Sequence, residues 1–238
     1  MQRPICFFDS GIGGATILKE VIKLLPNENY VYYADNIHNP YGTKSKEELF
    51  KIVDNVVTEL LKYNPKLIVC ACNTATAMVL NDIRKKYPNI TFVGTEPAIK
   101  VMHDKYKDKK TIILTTKGTG ESDRFKKLFN TYKTTNCNLV EATKLAELIE
   151  NEEDTYPYLK ELLKNFKNVD LIVLGCTHFP LAINALSKIY KNAMFIDGST
   201  GIANRVKYIL GNDISNKGSI KIISSGKNVT NIIEKIIK

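Results

Sequence analysis

One stretch that occurs twice constrains the fold of this chain more than any other feature. The first copy is LIVCACNTA at 67–75, and the second is LIVLGCTH at 171–178. The two copies align without a gap, so that Cys176 in the second stands where Cys72 stands in the first. Each copy begins with an apolar, β-branched run, which predicts a buried strand. The repeat therefore predicts two similar halves, each with a buried strand that ends at a thiol.

The rest of the chain alternates short apolar runs with amphipathic segments. This alternation is typical of an α/β fold in which helices flank mostly parallel sheets. The rhythm restarts near residue 95, followed by a Lys-rich helical segment, which indicates a domain boundary there. We therefore predict an N-terminal α/β domain at 1–95, a second α/β domain at 96–205, and a C-terminal segment at about 206–238 that returns to the first.

Composition and charge limit the classes of partner. Hydrophobic residues make up 44% and charged residues 25% of the 238 positions, as in ordinary soluble proteins. No apolar run approaches the roughly 20 residues of a membrane helix, and the N-terminus lacks a signal-peptide pattern. The net charge of +9 comes mostly from scattered Lys, whereas nucleic-acid-binding faces cluster their charge and favour Arg. We therefore expect a cytoplasmic protein with neither a membrane nor a nucleic acid as its primary partner.

The five cysteines form no recognisable disulfide or metal framework. Their number is odd, no C-x-x-C motif occurs, and the pair Cys70 and Cys72 has no further ligand at metal spacing. In a reducing compartment such cysteines remain free thiols. We expect no metal ion.

A glycine-rich turn follows the first predicted strand. Asp9-Ser10-Gly11-Ile12-Gly13-Gly14 precedes a helix predicted from Ala15 to Leu25, but it lacks the spacing of a dinucleotide fingerprint and the Gly-Lys-Ser/Thr of a P-loop. Its glycines permit close approach of the backbone to an anionic group at the helix N-terminus. Asp9 is either a cap of this helix or a carboxylate that holds a proton or a cation.

Two polar segments follow other predicted strands. The loop from Asp35 to Ser45 is long enough to line a pocket, and Ser45 with Glu48 predicts a capping box for the next helix. We expect His38, within this loop, to be exposed and not catalytic. The hydroxyl- and glycine-rich turn at 115–122 is suited to hydrogen bonding with a carboxylate.

The two thiols at matched positions suggest acid–base chemistry on both faces of a substrate. Ligands of parallel sheets bind beyond the carboxyl ends of strands, where Cys72 and Cys176 fall. A thiolate with a tuned pKa can remove a weakly acidic α-proton, and inverting a stereocentre requires removal on one face and return on the other. A buried structural Cys is the alternative for each thiol alone. A Cys-His hydrolase is also possible, with His178 as partner, but it leaves the second thiol without a role.

Four motifs together resemble the glutamate racemases of the cofactor-independent aspartate/glutamate racemase superfamily. They are Asp9-Ser10-Gly11-x-Gly13-Gly14, PYGTKS at 40–45, ACNTA at 71–75 and GCTHFP at 175–180. The resemblance runs from residue 5 to about 205 in the family's order. It implies two α/β domains related by a pseudo-two-fold axis, with the active site in the cleft between them. It also implies interconversion of L- and D-glutamate for peptidoglycan, without any cofactor, by a homodimer.

The resemblance assigns roles by position. It implies that Cys72 takes the α-proton of the D-isomer and Cys176 that of the L-isomer, with Asp9 and His178 as assisting acid–base groups. The family's further carboxylate corresponds best to Glu150, although Glu147 and Glu152 stand close by. The positions that match substrate-binding residues are Ser10, Pro40, Tyr41, Gly42, Asn73, Thr74, Thr116, Thr119 and Thr177.

Two other functions are compatible with the sequence. Aspartate racemisation by the same chemistry is the nearest, because a sequence does not give the depth of the pocket. A catalytically silent protein with a secondary binding role is the other. Both thiols and both hydroxyl-bearing turns are intact, which argues against a silent relative.

Overall fold

The computed structural model describes residues 3–215 and 217–238, which form nine β-strands and twelve α-helices. The strands are β1 (Ile5–Asp9), β2 (Asn29–Ala34), β3 (Leu67–Cys70), β4 (Phe92–Gly94), β5 (Thr111–Thr115), β6 (Cys137–Glu141), β7 (Leu171–Leu174), β8 (Met194–Ile196) and β9 (Ser219–Ser224). The helices are α1 (Ala15–Leu24), α2 (Lys46–Leu61), α3 (Asn73–Met78), α4 (Leu80–Lys86), α5 (Ile99–Tyr106), α6 (Lys117–Glu121), α7 (Asp123–Tyr132), α8 (Thr143–Glu150), α9 (Tyr156–Leu162), α10 (Ile183–Ile189), α11 (Ser199–Leu210) and α12 (Thr230–Ile237).

The strands form two parallel sheets, and apart from β9 their order is the same in both. The first sheet runs β4-β3-β1-β2-β9 and the second runs β6-β5-β7-β8. In each half, the first strand is flanked by the second and the third, and the fourth lies beside the third. β3 and β7, which carry the repeated sequence, are therefore the third strands of their halves. The prediction of an α/β fold with two similar parallel-sheet domains is confirmed.

The central strands are buried on both faces, as the sequence pattern of parallel sheets requires. Along β1, Ile5 and Phe7 pack into one apolar cluster, while Cys6 and Phe8 pack into another on the opposite face. The first cluster continues into the second half of the molecule, where it includes Ile112 of β5. The two domains thus share one side of their core.

The helix boundaries follow local chemistry. The Ser45 hydroxyl accepts a hydrogen bond from the Glu48 backbone N–H at 3.1 Å, so the predicted cap of α2 is confirmed. From Ala75 to Tyr87 the sequence alone predicts a single helix. This prediction is wrong, because the chain leaves helical geometry at Val79 (φ −129°, ψ −14°) and forms α3 and α4 instead. No helix among the described residues has the length and apolar character needed to cross a membrane.

The C-terminal segment joins the first half of the molecule. β9 pairs with β2 along its whole length, and α12 packs against α1. α11, which spans the predicted boundary at residue 205, also packs against α1. The exact domain bounds at 95 and 205 stay a prediction.

A buried ion pair fixes the start of this segment. The Glu28 carboxylate is fully buried and accepts hydrogen bonds from Lys66 Nζ at 3.1 Å and from the Ser215 backbone N–H at 2.6 Å. Glu28 directly precedes β2, and Lys66 directly precedes β3. The cluster therefore lies at the amino ends of the strands, opposite to the edge where their carboxyl ends meet.

Candidate active site

A small cavity between the two halves brings most of the predicted site residues together. Its walls come from the loops that follow β1, β2, β3, β5 and β7, at the carboxyl ends of both sheets. Thirteen residues line it: Ser10, Asn39, Pro40, Tyr41, Gly42, Cys72, Thr74, Thr116, Thr143, Ala146, Cys176, Thr177 and His178. This is the edge at which parallel sheets bind their ligands.

Both repeated thiols reach this cavity. Cys72 stands directly before α3, and Cys176 stands two residues after β7. Their residues are only 5% and 7% exposed, and all five cysteines of the chain are free. Burial raises the pKa of the Cys72 thiol well above its ordinary value, and the nearby carboxylate of Asp9 raises it further. Cys72 therefore holds its proton at neutral pH.

A hydrogen-bonded chain leads from Cys176 away from the cavity. His178 Nδ1 lies 3.8 Å from Cys176 Sγ, and His178 Nε2 lies 2.6 Å from Glu150 Oε2. Burial alone would lower the pKa of His178, but the contacts with Cys176 and Glu150 outweigh it, so the pKa lies well above the usual value. Of the three glutamates left open by the sequence, Glu150 alone makes this contact, whereas Glu147 and Glu152 are exposed.

The glycine-rich turn accommodates the Glu150–His178 pair. The Ile12 backbone N–H donates to the Glu150 carboxylate, with both oxygens at 3.1 Å. A Cβ atom on Gly11 would stand 2.1 Å from Glu150 Oε1, and one on Gly13 would stand 2.4 Å from His178 Nδ1. The anionic group that the glycines admit to the N-terminus of α1 is thus the chain's own carboxylate.

Asp9 lies beneath the cavity at the tip of β1. Its Oδ2 accepts a hydrogen bond of 2.7 Å from the Gly14 backbone N–H, while its Oδ1 is buried with no hydrogen-bond partner among the described residues. Burial raises the pKa of this carboxyl to about 6, against the opposing effects of His178 and the Gly14 N–H. Asp9 therefore both caps the turn before α1 and keeps one oxygen free to exchange a proton near neutral pH.

Three threonine hydroxyls meet at one end of the site. Thr116 Oγ1 lies 3.0 Å from Thr74 Oγ1 and 3.0 Å from Thr119 Oγ1. Thr74 and Thr116 line the cavity, whereas Thr119 is fully buried behind them. Asn73, at the start of α3, lines a second small cavity that also reaches Cys176 and Thr177. The sequence predicts that Asn73 and Thr119 bind the substrate. In the structure, neither residue lines the cavity that contains Cys72 and Cys176.

The loop after β2 supplies the opposite wall, including Pro40 and Gly42. Tyr41 is 1% exposed, and its hydroxyl donates to Asp35 Oδ2 at 2.7 Å, directed into the protein. His38 also contacts the Asp35 carboxylate, at 2.9 Å, and remains largely exposed as predicted. The hydroxyl of Tyr41 is therefore engaged by the protein, although the residue lines the cavity.

Four residues of the site escaped the sequence prediction. Asp35 holds Tyr41, and Asn39, Thr143 and Ala146 line the cavity. Asp35 could have been found, because a carboxylate directly after a strand is the same signal that singled out Asp9. The other three carry no such signal, because the packing of the 35–45 loop and of α8 decides which of their residues face the cavity.

Comparison with known proteins shows which family and which solved structures the chain is similar to. A family model described as Asp/Glu/Hydantoin racemase matches residues 15–205. A glutamate racemase of Clostridium botulinum is 41% identical, over 94% of this chain and 92% of its own length. The crystal structure of Escherichia coli glutamate racemase, in complex with L-glutamate and the activator UDP-MurNAc-Ala, superposes with a TM-score of 0.88 and 28% identity, over 98% of this chain and 95% of that one. The Francisella tularensis glutamate racemase in complex with D-glutamate gives 0.82 and 25%, over 99% and 94%.

Proposed function

The chain belongs to the Asp/Glu/Hydantoin racemase family, and from that membership we propose that it interconverts L- and D-glutamate with Cys72 and Cys176 as its two acid–base groups. The observation that carries the mechanism is the single cavity into which both thiols project from matching positions of the two halves. One base on each side of the α-carbon allows inversion without rotation of the substrate.

In the L-to-D direction, the Cys176 thiolate removes the α-proton and forms an S–H bond as the Cα–H bond breaks. The electron pair left on the α-carbon delocalises into the α-carboxylate. Cys72, which its raised pKa keeps protonated, donates its proton to the opposite face and becomes a thiolate. The reverse reaction exchanges the two roles. His178 beside Cys176 and Asp9 near Cys72 are the groups that return each thiol to its starting protonation state.

The surroundings of the thiols support binding of an amino acid with two carboxylates. Hydroxyls of Ser10, Thr74 and Thr116 line the cavity and can donate to carboxylate oxygens. His178, held protonated by Glu150, supplies positive charge on the side of Cys176.

The physiological setting follows from the reaction. We propose that the enzyme supplies D-glutamate for peptidoglycan in the cytoplasm, where free thiols stay reduced. We further propose that it works as a homodimer. Light scattering coupled to size-exclusion chromatography measures the mass in solution. A mass of one chain at micromolar concentration would contradict the dimer.

The decisive experiment is racemisation in D₂O without any added cofactor. The purified protein is mixed with L-glutamate, and optical rotation is followed together with deuterium at the α-carbon. We expect loss of rotation with deuterium entering the D-product, because the proton donated by Cys72 comes from solvent. Aspartate is run as a parallel substrate. Turnover of aspartate but not of glutamate would contradict the substrate assignment.

Single thiol replacements test the two-base assignment. We expect Cys72→Ser and Cys176→Ser each to lower kcat/KM by about 1000-fold or more in both directions, because a hydroxyl is far less acidic than a thiol. Cys6→Ser is the matched control, since Cys6 is buried in β1 and does not line the cavity. Full activity in either site variant, with folding confirmed by circular dichroism, would refute the mechanism.

A further inference from the structure

Asn39 contributes a side chain to the cavity that the proposed mechanism does not use. It stands between two short helical turns, Asn36–His38 and Tyr41–Thr43, with an extended backbone (φ −66°, ψ 140°). It lines the same cavity as Cys72 and Cys176. Its side-chain Nδ2 is buried and has no hydrogen-bond acceptor among the described residues.

The loop around Asn39 is fixed on both sides. Upstream, the Asn36 side chain donates to the Lys227 carbonyl at 2.5 Å and accepts from the Gly226 backbone N–H at 2.8 Å. Downstream, Tyr41 is held by Asp35. These contacts hold the loop in place on both sides of Asn39.

A buried amide N–H without an acceptor is costly, and native proteins rarely leave one in place without a reason. The cavity also has few charged groups that could bind a carboxylate, so a neutral donor is useful there. Among its thirteen lining residues there is no Lys and no Arg, and His178 is the only group that can carry positive charge. Two carboxylates bound there must be held mainly by neutral N–H and O–H donors, so each donor contributes to the affinity for the ligand.

We propose that the side-chain amide of Asn39 donates a hydrogen bond to a carboxylate oxygen of the bound glutamate, and that Asn39 is a substrate-binding residue of this enzyme. The inference rests on the proposed function, because glutamate is the ligand that supplies the acceptor. The residue acts on affinity: it contacts a carboxylate and not the α-proton.

The test is Asn39→Leu, which keeps the size of the side chain and removes the donor. We expect KM for both enantiomers to rise about 10- to 100-fold, as for loss of a hydrogen bond to a charged group, with kcat changed by less than about threefold. The midpoint of thermal unfolding without substrate should stay unchanged or rise, because an unsatisfied donor has been removed. The extra thermal stabilisation by D-glutamate should shrink.

Asn36→Leu is the matched control, since it removes the same amide three residues upstream. That amide is satisfied within the protein, so we expect a lower unfolding temperature and a smaller change in KM. Asn39→Asp places an acceptor and a negative charge at the site, and we expect it to weaken glutamate binding at least as much as Asn39→Leu.

Three results would overturn the inference. They are an unchanged KM in Asn39→Leu, a fall in its unfolding temperature equal to that of Asn36→Leu, and wild-type affinity in Asn39→Asp. The wild-type experiment in D₂O separates this failure from that of the proposed function. If wild type racemises glutamate and Asn39→Leu binds it normally, only the role of Asn39 is wrong. If wild type neither turns over nor binds glutamate, both proposals fall.

Discussion

At the scale of single residues, burial of the Asp9 carboxyl raises its pKa and lowers the stability of the folded protein near neutral pH. Its pKa in the folded protein is about 6, against an ordinary value of 3.8. The folded state therefore binds more protons than the unfolded state between these values, and this group makes the protein less stable as pH rises from about 4 to 6. A carboxyl whose pKa is raised towards neutral pH in this way is suited to proton exchange with a neighbouring thiol.

Replacing Asp9 by Asn should therefore remove activity, and it should also remove the loss of stability that the Asp9 carboxyl causes as pH rises. Asn keeps an oxygen for the Gly14 N–H but cannot ionise. The buried amide N–H that Asn introduces has the same cost at both pH values. We therefore expect the change in the free energy of unfolding to be about 2 kcal/mol more favourable at pH 7.5 than at pH 4.5, since one pKa unit is worth about 1.4 kcal/mol.

Urea unfolding of both proteins at the two pH values measures this difference in stability, and the racemisation assay measures the loss of activity. An effect of the substitution on stability that is the same at both pH values would contradict the burial argument. In wild type, we also expect kcat/KM to fall as pH drops below about 6, where Asp9 becomes protonated. If kcat/KM of Asp9→Asn falls in the same way below about pH 6, the titration of Asp9 is not the cause of this fall.

The residues that sequence reasoning found and missed differ in a physical way. Asp9, Cys72 and Cys176 follow strands, so the topology of parallel sheets alone brings them to one edge. Glu150 reaches His178 from the last turn of α8, and choosing it over Glu147 required knowing which face of that helix is turned inward. Asn39 is recognisable only from the absence of an acceptor around its amide, which is a property of the packed structure.

At the scale of elements, the glycine-rich turn before α1 makes a close contact between the two halves of the molecule. Its backbone touches Glu150 and His178, both from the second half of the chain. Sequence motifs limited what the turn could be, because the P-loop and dinucleotide patterns were incomplete. They could not identify its ligand, since the carboxylate comes from 138 positions away.

Gly13→Ala should disrupt this contact. The new Cβ would meet His178 Nδ1 at 2.4 Å and the His178 backbone N at 2.7 Å, so His178 must move. We expect a loss of about 1–3 kcal/mol of stability and a drop in kcat/KM of about 100-fold.

Gly201→Ala is the control for this prediction. Gly201 lies in α11 with nothing within 4 Å of an added Cβ, so Ala should leave kcat unchanged and raise stability by up to about 1 kcal/mol. Both variants are measured by urea unfolding and by initial rates. Wild-type rates in Gly13→Ala would show that the position of His178 does not depend on the turn.

Element boundaries were predictable where one local signal decides them. Ser45 and Glu48 form a cap within four residues, and the structure has it. The break at Val79 has no Pro or Gly to announce it. The sequence predicts one helix here, because both segments have ordinary helix propensities. The change of chain direction at Val79 depends on how α3 and α4 pack against their surroundings.

At the scale of the whole molecule, the two ends of the first sheet carry buried carboxylates with different tasks. Asp9 stands at the carboxyl end of β1 with one oxygen unpartnered, while Glu28 stands at the amino end of β2 with its carboxylate fully engaged by Lys66 and Ser215. The carboxylate at one end is the one proposed to exchange protons, and the carboxylate at the other end attaches the C-terminal segment to the sheet.

Glu28→Gln should therefore destabilise the molecule and spare its activity. Removing one partner of a buried ion pair leaves the other charge poorly compensated, and we expect a loss of about 3 kcal/mol in the free energy of unfolding. Since the cluster lies at the edge opposite to the cavity, kcat and KM at 25 °C should change by less than about twofold.

Glu59→Gln provides the comparison. Glu59 pairs with Lys62 on the surface, where both side chains are about half exposed, and its loss should cost less than about 1 kcal/mol. Equal effects of Glu28→Gln and Glu59→Gln in urea unfolding would show that the Glu28 cluster does not hold the C-terminal segment in place.

The duplicated architecture was the most predictable property, because a gapless repeat of a strand and a thiol leaves few topologies open. The two thiols stand at matching positions but in unlike surroundings, which raises the question of the rates in the two directions. L- and D-glutamate are mirror images with equal free energies in water, so the equilibrium constant of their interconversion is one. Detailed balance then requires kcat/KM to be the same in both directions, however unlike the settings of Cys72 and Cys176 are. Substitutions around either thiol can redistribute kcat and KM between the enantiomers, but no substitution can turn this enzyme into a one-way catalyst.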